Sequence, residues 1–287
     1  MRPDAFAAVM ATGIVSIAAA DHEFRGISDV LAVISVVVFA ALVIAALVWL
    51  RPDFDELDVP IGLLTFVAAC AVVGTRLGWW PLGVVGLLGW LVLLPMALRG
   101  MWRYRWTGLR DRARGGGELA SVATSGLAIV AADLGFVGVA IGLLALAICL
   151  YCVMTGLVLW RAAHEPSAPD LFQPDMWILM GGAAIATLAG DHIHKAGVDD
   201  IWPVTVVTWI VASLWIPVLA AASVRLRDGN WWAAVFPLGM YSSATFATAV
   251  ETGWQPLTTV SLVFFCIALA AWLLTCCDFG VKSVAQR

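Results

Sequence analysis

Charge is what this sequence has least of. Charged residues fill 13% of its 287 positions, against roughly 25% in a soluble domain, which excludes a chain solvated on every side. Histidine occurs only four times, so a metal centre or haem site built from paired histidines inside a span has no material. The six cysteines, Cys70, Cys149, Cys152, Cys266, Cys276 and Cys277, lie in or at the ends of apolar runs without zinc-type spacing and read as small apolar fillers. No phosphate-binding glycine motif, nucleophile elbow or paired-carboxylate spacing occurs. The chain is therefore not read as an enzyme, and no cofactor, metal or nucleic-acid partner is expected.

What fills the space is apolar sequence, 62% of all residues, with a mean hydropathy of +0.95. Runs long enough to cross a hydrocarbon core about 30 Å thick fall at 4–20, 28–50, 60–78, 80–98, 118–132, 135–160, 175–191, 201–224, 231–250 and 257–277. The chain reads as a single all-α integral membrane domain, 1–287, surrounded by membrane lipids. Assigned alternately to two sides, the 16 Lys and Arg fall almost all on the side of the termini, and only Arg25, Arg76 and Lys195 fall on the other. That bias predicts both termini in the cytoplasm of a multi-pass protein of the cell membrane. No cleavable signal peptide and no soluble domain at either end is expected.

The runs alternate in character. The first, third, fifth, seventh and ninth are rich in Ala, Gly, Ser and Thr, and the others in Leu, Val, Ile and Trp. Small residues let helix backbones approach closely, whereas bulky aliphatics suit a lipid-facing shell. Five helical hairpins are predicted, with odd helices inside and even helices outside, as repeated units of the kind common in transport proteins. Thr12, Ser16, Thr65, Thr124, Ser125, Thr187, Ser242, Thr245 and Thr248 concentrate on the odd helices and are the candidate pore lining. A lone hydroxyl of this kind more often bonds its own helix's backbone. The Arg-rich stretch 99–114 reads as a topology anchor or a contact with anionic lipid, followed by a flexible Gly115-Gly116-Gly117 link.

Asp4, Glu118, Asp133, Asp191 and Glu251 fall at predicted helix ends, where water is expected to reach them. The scarcity of charge deeper in the spans argues against a proton relay, since coupled carriers use intramembrane titratable groups. No Lys or Arg sits deep enough to clamp a dianion, so an anion would be held weakly by helix dipoles and hydroxyls, as conduction requires. His192 and His194 are read as an outer-loop pair, and His22 and His164 as loop residues.

The most telling segment is Trp231-Trp232-Ala-Ala-Val-Phe236-Pro237-Leu-Gly239-Met-Tyr241-Ser242-Ser243-Ala-Thr245-Phe-Ala-Thr248. A proline inside a span frees a carbonyl that lipid does not tolerate but a wet cavity does. With Phe6-x-x-Val-Met-x-Thr12-Gly13 at the start, and Thr65-Phe-Val-Ala and Val122-Ala-Thr124 in helices 3 and 5, the sequence resembles the family of tellurite-resistance and C4-dicarboxylate transporters that includes the plant guard-cell slow anion channels. The resemblance implies ten helices as five hairpins in quasi-fivefold arrangement around a central pore, in a homotrimer, carrying small inorganic or organic anions. It also implies a pore plug in helix 9 at Phe236, followed by Pro237. Where the family often has glutamine after the helix 5 threonine, this chain has Ser125, and Ala11 replaces a common glycine. A gated channel for small monovalent anions is the leading expectation. A C4-dicarboxylate or sulfite- or tellurite-type oxyanion carrier with alternating access is the alternative.

Overall fold

The computed structural model describes residues 3–49, 54, 56, 58–103, 112–165, 168, 171, 173–224 and 230–285, with side chains as far as 278. Arg2, Arg51, Arg105, Arg110, Arg225, Arg227 and Arg287, on which part of the orientation rests, lie outside the described residues. Among the described residues there are ten α-helices: α1 (Ala7–Asp21), α2 (Arg25–Trp49), α3 (Asp58–Leu77), α4 (Trp80–Arg103), α5 (Leu119–Asp133), α6 (Val137–His164), α7 (Ile178–Lys195), α8 (Trp202–Ser223), α9 (Trp232–Thr252) and α10 (Pro256–Ala285). Short 3-10 turns at Gly115–Glu118, Pro174–Trp177 and Asp199–Ile201 lead into α5, α7 and α8. Among the described residues there is no strand.

Nine of these helices, some counted with the 3-10 turn that leads into them, are long and apolar enough to cross a membrane, and α1, with 15 residues, falls short. At 1.5 Å per residue it reaches roughly 22 Å. That length is tolerable because α1 does not face lipid: Val9, Ala11, Val15, Ala18 and Ala19 are completely buried. The odd helices form a closed ring in which α1 packs on α3, α3 on α5, α5 on α7, α7 on α9 and α9 on α1. Each even helix packs on the odd helix before it and also touches the next odd one, with α10 returning to α1.

Composition accounts for the two layers. The apolar windows of α3, α5, α7 and α9 are 78 to 89% buried, and those of the even helices 17 to 33%. Lipid supplies no hydrophobic drive between helices, so association depends on close packing. Gly13 provides it against α3, since a Cβ there would stand 2.7 Å from Val72 Cγ1, and Gly239 against α1, where it would stand 2.9 Å from Ile14 Cγ2. Pro95 and Pro217 interrupt the outer helices α4 and α8 as Pro237 interrupts α9. A proline alone therefore does not distinguish inner from outer helices; burial does.

Polar staples repeat round the ring. Ser16 and Ser28 exchange hydroxyl-to-carbonyl bonds of 2.7 Å across the first hairpin. Ser242 and Ser261 do the same at 2.8 and 2.7 Å across the fifth. Indole N–H groups of outer helices donate to inner threonines of the next hairpin: Trp90 to Thr124 at 2.9 Å, Trp209 to Thr245 at 3.0 Å and Trp272 to Thr12 at 2.9 Å. These recurrences are the physical trace of a repeated hairpin. Trp209→Phe removes one donor and is expected to lower unfolding stability in detergent by about 1 kcal/mol. Trp102→Phe, at a side chain 87% exposed, is expected to leave it unchanged.

Candidate functional site

A cavity of about 590 Å³ opens into the ring at the N-terminal ends of the inner helices. Ala7 and Met10 of α1, Ile61 and Thr65 of α3, Leu119 of α5, Ile178 of α7, and Ala233 and Phe236 of α9 all border it. All five inner helices thus start at the same end of the molecule. Free N–H groups of a helix's first turn and its dipole, about half a positive charge, favour anions there.

The mouth carries charge as well. Arg112 and Arg114 border the cavity. Arg114 Nη2 lies 3.1 Å from Asp58 Oδ2 at the start of α3, and its Nε lies 3.8 Å from Asp175 Oδ2 just before α7. Asp175 Oδ2 also accepts a bond of 3.1 Å from the Gly116 amide. Asn230 Nδ2 donates to Asp4 Oδ2 at 2.7 Å. The described end of the Arg-rich stretch therefore faces this mouth.

Gly115-Gly116-Gly117 is not the flexible link its composition predicts. It is a 3-10 turn in which Gly115 and Gly117 are buried. A Cβ on Gly115 would collide with the Asp175 carbonyl oxygen, and one on Gly117 with the Met154 methyl. The glycines let two chain segments touch.

Phe236 is 2% exposed and borders the cavity beside Met10 and Thr65. Pro237 packs on α7 at Gly181, where a Cβ would stand 3.0 Å from the proline Cγ. Counting about 100° per residue from Phe236, Met240 and Ser243 share its face of α9, while Thr245 lies on the opposite side. Thr245 accordingly accepts from Trp209 in the outer layer.

Of the nine hydroxyl residues predicted to line a pore, Thr65 borders this cavity, and it donates to the Gly62 carbonyl at 2.6 Å. Thr12 and Thr124 bond their own helices, at Ala8 and Ala120, besides holding their tryptophans. Thr187 bonds the Ala183 carbonyl and Thr208 of α8. Thr248 bonds the Ala244 carbonyl, and Ser16 and Ser242 form the hairpin pairs. Ser125 and Ser121 are buried with their hydroxyls unpartnered among the described residues, and buried Ser243 stands by the Asp21 carboxyl. Ser121 and Ser243 were not singled out from sequence. Helical spacing was the available signal, four residues back from Ser125 and seven on from Phe236.

Of the five carboxylates expected at wet helix ends, Asp133 is exposed, with a side chain 41% accessible, whereas three are buried. Glu118 is 0% and Asp191 2% exposed, and the Glu251 side chain is 4% exposed. Inner helices are shorter than the outer ones that cover them, so their ends lie inside the protein. Asp191 Oδ2 accepts from Lys195 Nζ at 2.6 Å. His192 and His194 lie in the last turn of α7 and His164 ends α6, rather than in loops. His192 Nδ1 pairs with Asp133 Oδ1 at 2.6 Å, and His194 Nδ1 stands 3.9 Å from Glu251 Oε1. In the turn after α1, loss of water pulls the His22 imidazole below its usual range, although its Nε2 meets Ser261 Oγ at 2.9 Å.

A multi-pass helical membrane protein with a ring of five hairpins and a polar-mouthed cavity is the class these features define. Residues 58–278 match the voltage-dependent anion channel family, and the chain belongs to that family. Two curated relatives, uncharacterized membrane proteins of Mycobacterium tuberculosis strains CDC 1551 and H37Rv, are each 32% identical over 143 residues, 44% of this chain and 73% of the relative. Family membership assigns the chain to channels or transporters of anions.

Proposed function

We propose that this protein is a gated channel for small monovalent anions, in which Phe236 closes the axial path beyond the cavity. The observation that carries the proposal is the convergence of five helix N-termini on one cavity that has Phe236 at its wall. Positive dipole ends concentrate anions without binding them tightly, as conduction needs. Pro237 deprives the carbonyl of Ala233, itself a cavity residue, of its helical donor. In this reading Ser121, Ser125 and Ser243 join Thr65 as lining hydroxyls, whereas Thr12, Thr124 and Thr245 hold the outer shell in place.

The excess of Lys and Arg on the side of the termini supports placing the cavity mouth in the cytoplasm of a cell-membrane protein. The family resemblance extends the proposal to a homotrimer with one pore in each protomer. The second reading is an oxyanion or C4-dicarboxylate carrier with alternating access, and the buried carboxylates Glu118, Asp191 and Glu251 favour it. Liposome flux of chloride, nitrate, sulfite and malate separates the two. Chloride and nitrate currents that follow the imposed voltage are expected, and malate uptake without chloride current would reverse the assignment.

A further inference from the structure

Glu118 ends the 3-10 turn that enters α5. Its neighbours Gly117 and Leu119 border the cavity, while its own carboxyl turns back between α6 and α7. Oε1 accepts from Thr155 Oγ1 of α6 at 2.6 Å. Oε2 has no partner among the described residues. Space beside it exists because α7 has Gly182 there, where a Cβ would stand 3.6 Å from Oε2 and 2.9 Å from Tyr151 Cδ2. From α8, Trp215 Nε1 donates to Tyr151 Oη at 2.7 Å, which fixes the tyrosine that closes the pocket.

The titratable group beside this carboxyl is Tyr151 of α6; the other elements packed on the turn bring Asp175 and, from α3, Asp58, both facing Arg114. Arg161, further along α6, donates to the Ala113 carbonyl at 3.0 Å and pairs with Glu165. A carboxylate this deep is costly as a bare charge and marks a functional group in a membrane protein. A metal ion would need several ligands converging, and among the described residues no such group of His, Cys, Asp or Glu assembles. One free oxygen in the space left by a missing side chain suits only a proton.

We propose that Glu118 is a proton-binding site whose occupancy sets anion entry into the cavity. This rests on reading the cavity as the anion vestibule. Solvent supplies the proton to Oε2. The ionised carboxylate repels an anion across the turn whose Gly117 and Leu119 border the cavity, and the protonated acid does not. Proton and anion therefore favour each other's binding, by the reciprocity that links any two coupled ligands.

The test uses the full chain in liposomes with chloride as the probe. Chloride flux of the wild type is expected to rise about tenfold as pH falls on the cavity side, the scale of a unit charge acting at close range in protein. Glu118→Gln is expected to be flat with pH and fixed at the high level. A flat wild-type profile, or a Glu118→Gln profile that keeps the wild-type slope, overturns the proposal. Should Glu118→Gln not fold, Thr155→Val is expected to displace the midpoint of the profile, and an unmoved midpoint overturns the proposal. Infrared difference spectra of the protein in lipid read the site without transport. A carboxylic C=O band that follows pH and vanishes in Glu118→Gln supports the site even where chloride flux is absent, a result that would sink the channel reading alone. Absence of the band overturns the site.

Discussion

Phe236→Ala is expected to raise anion conductance by at least tenfold, each factor of ten corresponding to about 1.4 kcal/mol taken off the barrier. The ring is 2% exposed and stands where the cavity ends. Truncating it opens a space in line with Met240 and Ser243 on the same face of α9. In the proposed gate the ring excludes ions by excluding water, so even partial widening is expected to restore a wetted path. The competing account is that Phe236 is ordinary packing, in which case truncation would cost about 3–5 kcal/mol of stability and add no current. Single-channel or flux recording alongside thermal unfolding decides. Phe136→Ala, at a ring 61% exposed, serves as the control with neither effect.

Gly115→Ala is expected to abolish transport through misfolding of the vestibule. Its Cβ would run into the Asp175 carbonyl, and the next nearest atoms are also Asp175 and Met176 backbone. Backbone cannot rotate away as a side-chain tip can, so overpacking of roughly 1–3 kcal/mol or more follows. Gly142→Ala, in the second turn of α6 with no atom within 4 Å of the added Cβ, is expected to stabilise by about 1 kcal/mol through helix propensity. Unfolding curves of the two variants in one detergent should move in opposite directions. A Gly115→Ala protein of wild-type stability and flux would mean that the two turns are not packed in this way.

The sequence was legible where the signal was local. Small-residue and bulky helices differ in composition within a single run, so the inner and outer layers could be assigned before any contact was known. Facing was not legible in the same way. Thr245 and Ser243 are two residues apart on one helix, and only the positions of Trp209 and the cavity decide which hydroxyl turns inward. Glu118 and Glu251 looked wet because both sit at helix ends, and nothing in their neighbourhood reveals that longer helices cover those ends. The three glycines misled for a related reason. A linker and a close contact have the same composition, and the partner that distinguishes them, Asp175, comes 60 residues after Gly115.

The hairpin repeat has an electrical consequence. Because every inner helix enters the ring from the same end, their backbone dipoles are parallel and add rather than cancel. At the opposite end the same arrangement gathers carbonyl oxygens together with Asp21, Asp191 and Glu251, which lie near the C-termini of α1, α7 and α9. Along the inner ring the backbone is thus polarised, with amide N–H ends gathered at one end and carbonyl ends at the other. That asymmetry is a property of the backbone topology, and no single side-chain substitution removes it.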